Sequence, residues 1–242
     1  MTADSASINL THHFLIAMPG LEDAAFAKSV VYVCEHSERG ALGLVINKPS
    51  ELSMQSLFEK VDLSLHREDL MNAPVLQGGP VHTERGFVLH DAMLVEHPSA
   101  AQDAATQQVP TDVPAEIDAE AQAEAKAEAK ALSEVSTQGD DSGQESVYAS
   151  TMTIPGGLEM TTSKDVLEAL SMGAGPKRVL ISLGYSAWGE GQLESELAEN
   201  SWLTVGADLS VIFDTPVEQR YERAMQLLGL EPWMLSNEVG HS

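Results

Sequence analysis

The sequence predicts an α+β fold: a mixed, largely antiparallel sheet with helices packed outside it, interrupted by an acidic insertion expected to be disordered. Three observations carry this. Short apolar runs with period-2 alternation recur along the chain, and the turns between several of them are built from Gly and Pro, as at Pro155-Gly156-Gly157, which is hairpin chemistry. Helical spacing appears between these runs irregularly rather than in strict strand–helix alternation, which argues against a doubly wound parallel sheet. The composition also changes abruptly after residue 95. From there to about residue 143 aromatics vanish while Ala, Gln, Glu, Asp and Pro dominate, a mixture that buries too little apolar area to offset the entropy of ordering. The expected organisation is one domain formed by residues 1–95 and 148–235, an Ala/Glu/Gln-rich insertion at 96–147, and a tail at 236–242.

Taken in order, Phe14 to Met18 is an apolar run closed by Pro19-Gly20 and reads as a first strand, and Leu21 to Lys28 follows as a short connection of helical character. Ser29 to Pro49, SVVYVCEHSERGALGLVINKP, reads as two strands around a turn at Ser37 to Gly40. Pro49, which has no amide to donate, ends the second. Alternation places Val30, Tyr32, Cys34 and His36 on one face of the first strand and Val31, Val33 and Glu35 on the other. Ser53 is an N-cap serine ahead of Met54, Leu57, Phe58 and Val61, whose i, i+3, i+4, i+7 spacing predicts an amphipathic helix.

Val75-Leu76 leads into Gln77-Gly78-Gly79-Pro80-Val81, where the glycines permit positive φ or close backbone approach, and Arg85 to His90 reads as a further strand. Inside the insertion, Ala119 to Ala131 has high helix propensity, but Glu120, Glu124 and Glu128 align as like charges and no apolar face exists. Beyond it, Tyr148 to Ile154 and Leu158 to Thr161 form a predicted hairpin, followed by a helix over Lys164 to Met172. Arg178 to Tyr185 is a strand feeding a glycine-rich turn from Gly184 to Gly191, and Gln192 to Asn200 is a helix. Trp202 to Val205 and Leu209 to Phe213 read as strands. Val217, Tyr221, Ala224, Met225 and Leu228 then mark one face of a last helix stopped at Gly229 and Pro232.

Charge and cysteine usage bound the function. The net charge of -24 and pI near 4.4 repel phosphate backbones and anionic membranes, and no helix-turn-helix or basic stripe is visible. A direct DNA-binding regulator is therefore the weakest reading. The purified protein is expected not to bind random duplex DNA at physiological salt; submicromolar, salt-sensitive binding in a titration would overturn the charge argument. Cys34 is the sole cysteine, which excludes an intrachain disulfide framework and fits a reducing cytoplasm. The stretch MTADSASINLTHHFLIAMPG lacks a basic n-region and a long apolar core, so neither a signal peptide nor a membrane span is expected.

The candidate site residues lie at strand ends and turns. Cys34 and His36, two residues apart, suit a thiolate nucleophile or a ligand pair if they share a face, while a strand cysteine is more commonly a small buried hydrophobe. Glu35 lies between them, and His90 with Asp91 adds an imidazole and a carboxylate. Asn47 and Lys48 either bind an anion or cap a turn. Gly78 and Gly79 either present amides to an anion or serve as a structural turn. Trp188 reads as a stacking platform in its turn, and Glu190 and Glu194, one helical turn apart, as a cation seat or a solvated acidic face.

Three segments, SVVYVCEHSERGALGLVINKP, QGGPV with RGFVLHD, and LGYSAWGEGQLESELAENSWL, closely resemble the signature segments of the bacterial YqgE/AlgH family. The resemblance spans Phe14 to about Asp91 and Tyr148 to Pro232. It implies a compact α+β fold with a partly closed, barrel-like sheet, in a family with no assigned biochemical activity, some members of which carry a label linking them to alginate gene regulation. The acidic tract departs from the family's short connection at that point. The leading functional expectation is a cytoplasmic binding or regulatory module acting through protein or small-molecule contacts around Cys34/His36, Gly79 and Trp188, with no cofactor. The alternative is a hydrolase or metal-assisted enzyme using His36, His90 and a nearby carboxylate.

Overall fold

A computed structural model describes residues 9–93 and 146–230; the helix-prone tract at Ala119 to Ala131 and the 236–242 tail lie outside the described residues. The strands are β1 (His13–Ala17), β2 (Val30–Ser37), β3 (Gly40–Val45), β4 (Pro49–Ser53), β5 (Pro74–Gln77), β6 (Val81–Asp91), β7 (Thr151–Ile154), β8 (Leu158–Thr161), β9 (Val179–Trp188) and β10 (Trp202–Gly206). The helices among the described residues are α1 (Met54–Lys60), α2 (Lys164–Ser171), α3 (Gln192–Ala198), α4 (Leu209–Phe213) and α5 (Arg220–Leu227). The sheet runs β10-β1-β2-β3-β9-β6-β8-β7, with β4 and β5 branching from β9. Its pairs are antiparallel except β5 with β9.

Strand β9 is the organising element. One edge carries β3 at Ser186 to Trp188 and β5 at Ser182 and Leu183, end to end, while the other edge carries β6. The sheet curls into a half-barrel, as the family resemblance implied. The turn between β7 and β8, at one edge, reaches the residue ahead of β1 near the other: a Cβ on Gly156 would sit 2.4 Å from the His12 ring.

Curling creates one concave and two convex apolar surfaces. The concave core holds Phe14, Tyr32, Cys34, Leu44, Phe87, Leu89 and Leu180 and is closed by Val211, Ile212, Ala224 and Met225 of α4 and α5. Outside the sheet, α1 and α2 pack Met54, Phe58, Val166 and Leu170 against Val88 and Ile181, and α3 packs Leu193 against Val31, Val33, Trp188 and Trp202. The helix starts follow from their caps, with the side chains of Ser53, Ser163 and Asp208 accepting from the amides of Ser56, Asp165 and Ser210.

Four local expectations are corrected. Leu209 to Phe213 is helical, because the Asp208 carboxylate holds the Ser210 amide and hydroxyl and so starts a helical turn; a five-residue apolar run alone does not separate strand from buried helix. Leu21 to Lys28 forms turns rather than a helix, braced by the Asp23 carboxylate on the amides of Ala25 and Phe26. Gly184 to Trp188 continues β9 through a glycine at φ +70°. Most consequential is a bulge in β2: Val33 faces Gly43, but Glu35 faces Leu42 and His36 faces Ala41. The extra residue inverts the alternation, so His36 falls on the convex face with Ala41 while Cys34 stays in the concave core.

Candidate functional site

Arg220 opens α5, and its guanidinium folds back beneath the connection from α4. Nε donates to the Thr215 carbonyl at 3.0 Å and Nη1 to the Ile46 carbonyl, just beyond β3, at 2.5 Å. The residue is only 7% exposed, and among the described residues it has no ion pair. Burial lowers its pKa to about 10, with Glu218 on the preceding turn acting in the opposite sense.

A cleft runs past this guanidinium along the seam between the concave core and the α1/α2 cluster. Its inner compartment, about 270 Å³, is walled by Met54, Leu70, Leu76, Leu180 and Ile212, with Lys177 and Arg178 also on its lining. The outer compartment, about 730 Å³, is lined by Asn47, Pro49, Asn72, Asp214 and Glu218. Ala73, Pro74, Phe213, Val217 and Arg220 line both, so the two adjoin at Arg220.

The other guanidinium groups here are matched. Arg178 donates Nε and Nη2 to Asp91 Oδ1 at 2.9 and 2.6 Å, and its amide to Oδ2 at 3.0 Å, while its Cζ lies 5.0 Å from the centre of the Phe213 ring. Arg67 clasps Asp69 at 2.7 and 2.6 Å and also donates to the Pro176 and Lys177 carbonyls. Each hydrogen-bonded carboxylate raises its arginine's pKa, and Arg67 in turn lowers that of Asp69. Arg220 is the buried cation of the cleft without such a partner among the described residues.

The description AlgH-like (DUF179) matches residues 14–233 of the chain. The chain belongs to the AlgH-like family. It is 67% identical to a UPF0301 protein of Paracidovorax citrulli and 63% identical to one of Acidovorax sp., each alignment covering 100% of both chains. The solution structure of the AlgH protein of Pseudomonas aeruginosa is 37% identical with a TM-score of 0.61, covering 98% of each chain. A Corynebacterium diphtheriae crystal structure, 16% identical, shares the fold with a TM-score of 0.58 over 94% of this chain and 92% of that one.

In this AlgH-like chain the residues singled out from sequence occupy several different places. Cys34 is 2% exposed and its thiol sits 3.8 Å from the Tyr32 carbonyl; burial pushes its pKa up, with the Glu35 charge adding to it. A neutral, shielded thiol is a poor nucleophile. Iodoacetamide is therefore expected to label native Cys34 orders of magnitude more slowly than the urea-unfolded chain, and labelling at the unfolded rate would contradict this burial. Glu35 is half-buried, and burial raises its pKa against the opposing pull of Arg39.

His36 Nδ1 accepts from the Leu10 amide at 3.0 Å, so Nε2 carries the proton and donates to Glu194 Oε1 at 2.8 Å. His90 is fully buried, its Nδ1 donating to the Asp91 carbonyl at 2.8 Å, with Glu159 Oε2 3.9 Å away and Nε2 unpartnered. The two histidines stand at opposite ends of β9, since His36 pairs with Ala41 opposite Trp188 whereas His90 pairs with Val179. That is about 30 Å at the strand rise, so the arrangement does not bring them together. Among the described residues no cluster of three metal-ligating side chains occurs.

Asn47 accepts from the Val30 amide and donates to the Lys28 carbonyl, both at 2.8 Å, and Lys48 Nζ donates to the Ala25 carbonyl at 2.6 Å; both brace turns, although Asn47 also borders the outer compartment. The Gly78 amide is spent on the Leu183 carbonyl at 2.8 Å, and Gly79 crosses β9 at Tyr185. Trp188 is not a platform in a turn. It is 4% exposed within β9, and its Nε1 donates to Glu196 Oε2 at 2.9 Å, which also accepts Trp202 Nε1 at 2.8 Å. Glu190 precedes α3 in an exposed turn rather than lying on the helix with Glu194. Sequence reading missed Arg220 and Glu196. Arg220's partner is Ile46, 174 residues away, and its local sign is a cation in a helix's first turn, against the dipole.

Proposed function

We propose that this protein is a cytoplasmic binding or regulatory module whose small-ligand seat is the Arg220 cleft. The carrying observation is a guanidinium 7% exposed, held by carbonyl oxygens alone among the described residues, beside a compartment partly walled by Met54, Leu70, Leu76, Leu180 and Ile212. Burying a charge with no ion-paired carboxylate among the described residues is costly, and an anionic ligand relieves that cost. The walls of the cleft contain neither cysteine nor histidine, and the Asp69 carboxylate there is held by Arg67, which favours recognition over thiol or imidazole chemistry there. The single cysteine supports a reducing compartment. Among the described residues no helix is long and apolar enough to cross a membrane.

The test uses acetate and inorganic phosphate as probes against chloride at equal ionic strength. The melting temperature of the wild-type protein is expected to rise with probe concentration. The rise should be lost in Arg220→Gln and in Ala73→Phe, which fills the cleft from a half-buried position. An identical anion response in all three proteins would overturn the assignment.

A further inference from the structure

We infer that the Arg220 cleft selects a small monocarboxylate carrying an apolar tail; this deepens the binding reading above and rests on it. The charge around the seat limits the ligand to one negative charge. Arg178 is already neutralised by Asp91, Asp69 by Arg67, and Lys177 is exposed to solvent, so Arg220 is the buried positive group left to be matched. Asp214 and Glu218 line the outer compartment and repel a second negative charge, as does the field of a chain of net charge -24. A carboxylate therefore fits better than a phosphate dianion. Its geometry also suits the site, since a guanidinium presents N–H groups in a planar fork and the two bonds to Thr215 and Ile46 use only part of that set.

The rest of the ligand is set by the inner compartment. Of its lining, Asp69 and Arg178 are already ion-paired and Lys177 is exposed, so the portion beyond the carboxylate meets Met54, Leu70, Leu76 and Ile212 and is hydrocarbon. A volume of about 270 Å³ equals roughly nine water volumes, which accommodates a chain of medium length rather than a long acyl group. Each added methylene that enters should tighten binding about fourfold until the compartment is full.

Calorimetric titration with butyrate, hexanoate, octanoate, octyl phosphate and octanol tests this on the full-length protein. Octanoate is expected to bind roughly tenfold or more tightly than hexanoate, with octyl phosphate and octanol both weaker than octanoate. Arg220→Gln and Ala73→Phe, each checked for a native circular dichroism spectrum, should lower octanoate affinity at least tenfold. Should Arg220→Gln fail to fold, Arg220→Lys and Ala73→Phe carry the comparison. Octyl phosphate binding as well as octanoate would overturn the monocarboxylate class while leaving the seat in place. Octanol matching octanoate, no binding of any probe, or octanoate affinity unchanged in Ala73→Phe would overturn the seat as well.

Discussion

Replacing Gly79 with alanine is expected to destabilise the protein by about 3 kcal/mol or more, from overpacking and backbone strain together. The β5–β6 connection crosses β9 backbone to backbone. A Cβ at Gly79 would lie 2.3 Å from the carbonyl carbon and oxygen of Tyr185 and 2.5 Å from the Ser186 nitrogen, and Gly79 has φ +155°. None of those atoms belongs to a side chain that can swing away. Gly78 is equally constrained, with its Cβ position 2.2 Å from the Gly184 carbonyl oxygen, and its own carbonyl accepts from the Val45 amide at 2.8 Å. This crossing locks β3, β5 and β9 together, so the loss falls on the centre of the sheet. Gly86→Ala is the control, because nothing lies within 4 Å of its Cβ position and it has no positive φ. Urea midpoints should separate the two variants clearly, and equal midpoints would refute the crossing.

Glu196→Ala should cost about 2–6 kcal/mol, since it leaves two indole N–H groups unpaired and each such loss costs roughly 1–3 kcal/mol. A single oxygen, Glu196 Oε2, accepts from Trp188 on β9 and Trp202 on β10, while Oε1 accepts from Gln192 at 3.0 Å. Phe26 completes the cluster, stacked on Trp188 at 5.9 Å and edge-on to Trp202 at 5.5 Å. Glu196→Gln keeps one acceptor oxygen and should lose about half as much stability. Thermal melts followed by circular dichroism read the difference; an Ala variant as stable as the wild type would show that the fork contributes nothing.

Much of the fold was legible because local patterns dictated it. The serine cap ahead of Met54, the Pro155-Gly156-Gly157 turn, the alternation at the start of β2 and the apolar runs of β1 and β9 were each read from a few neighbouring residues, and the family resemblance supplied the curl. The bulge at Cys34 was not legible, because one unpaired residue leaves the hydrophobic pattern on its near side intact and shows itself only in cross-strand register. It carried His36 away from Cys34 to meet Leu10 and Glu194. The sequence candidates were chemically reactive residue types, and the fold employs most of them as internal braces: Asn47 between Lys28 and Val30, Lys48 on Ala25, and Trp188 on Glu196. Arg220 escaped notice because its significance lies in long-range burial and in the acids that do not pair with it, neither of which leaves a local pattern.

The most direct test of the Arg220 seat is the crystal structure of the protein grown with saturating octanoate. A carboxylate oxygen is expected within hydrogen-bonding distance of the Arg220 guanidinium, with Thr215 and Ile46 still bound to Nε and Nη1 and the hydrocarbon chain beside Leu70 and Ile212. An empty cleft, or octanoate ordered elsewhere while Arg220 holds only the two carbonyls, would contradict the account.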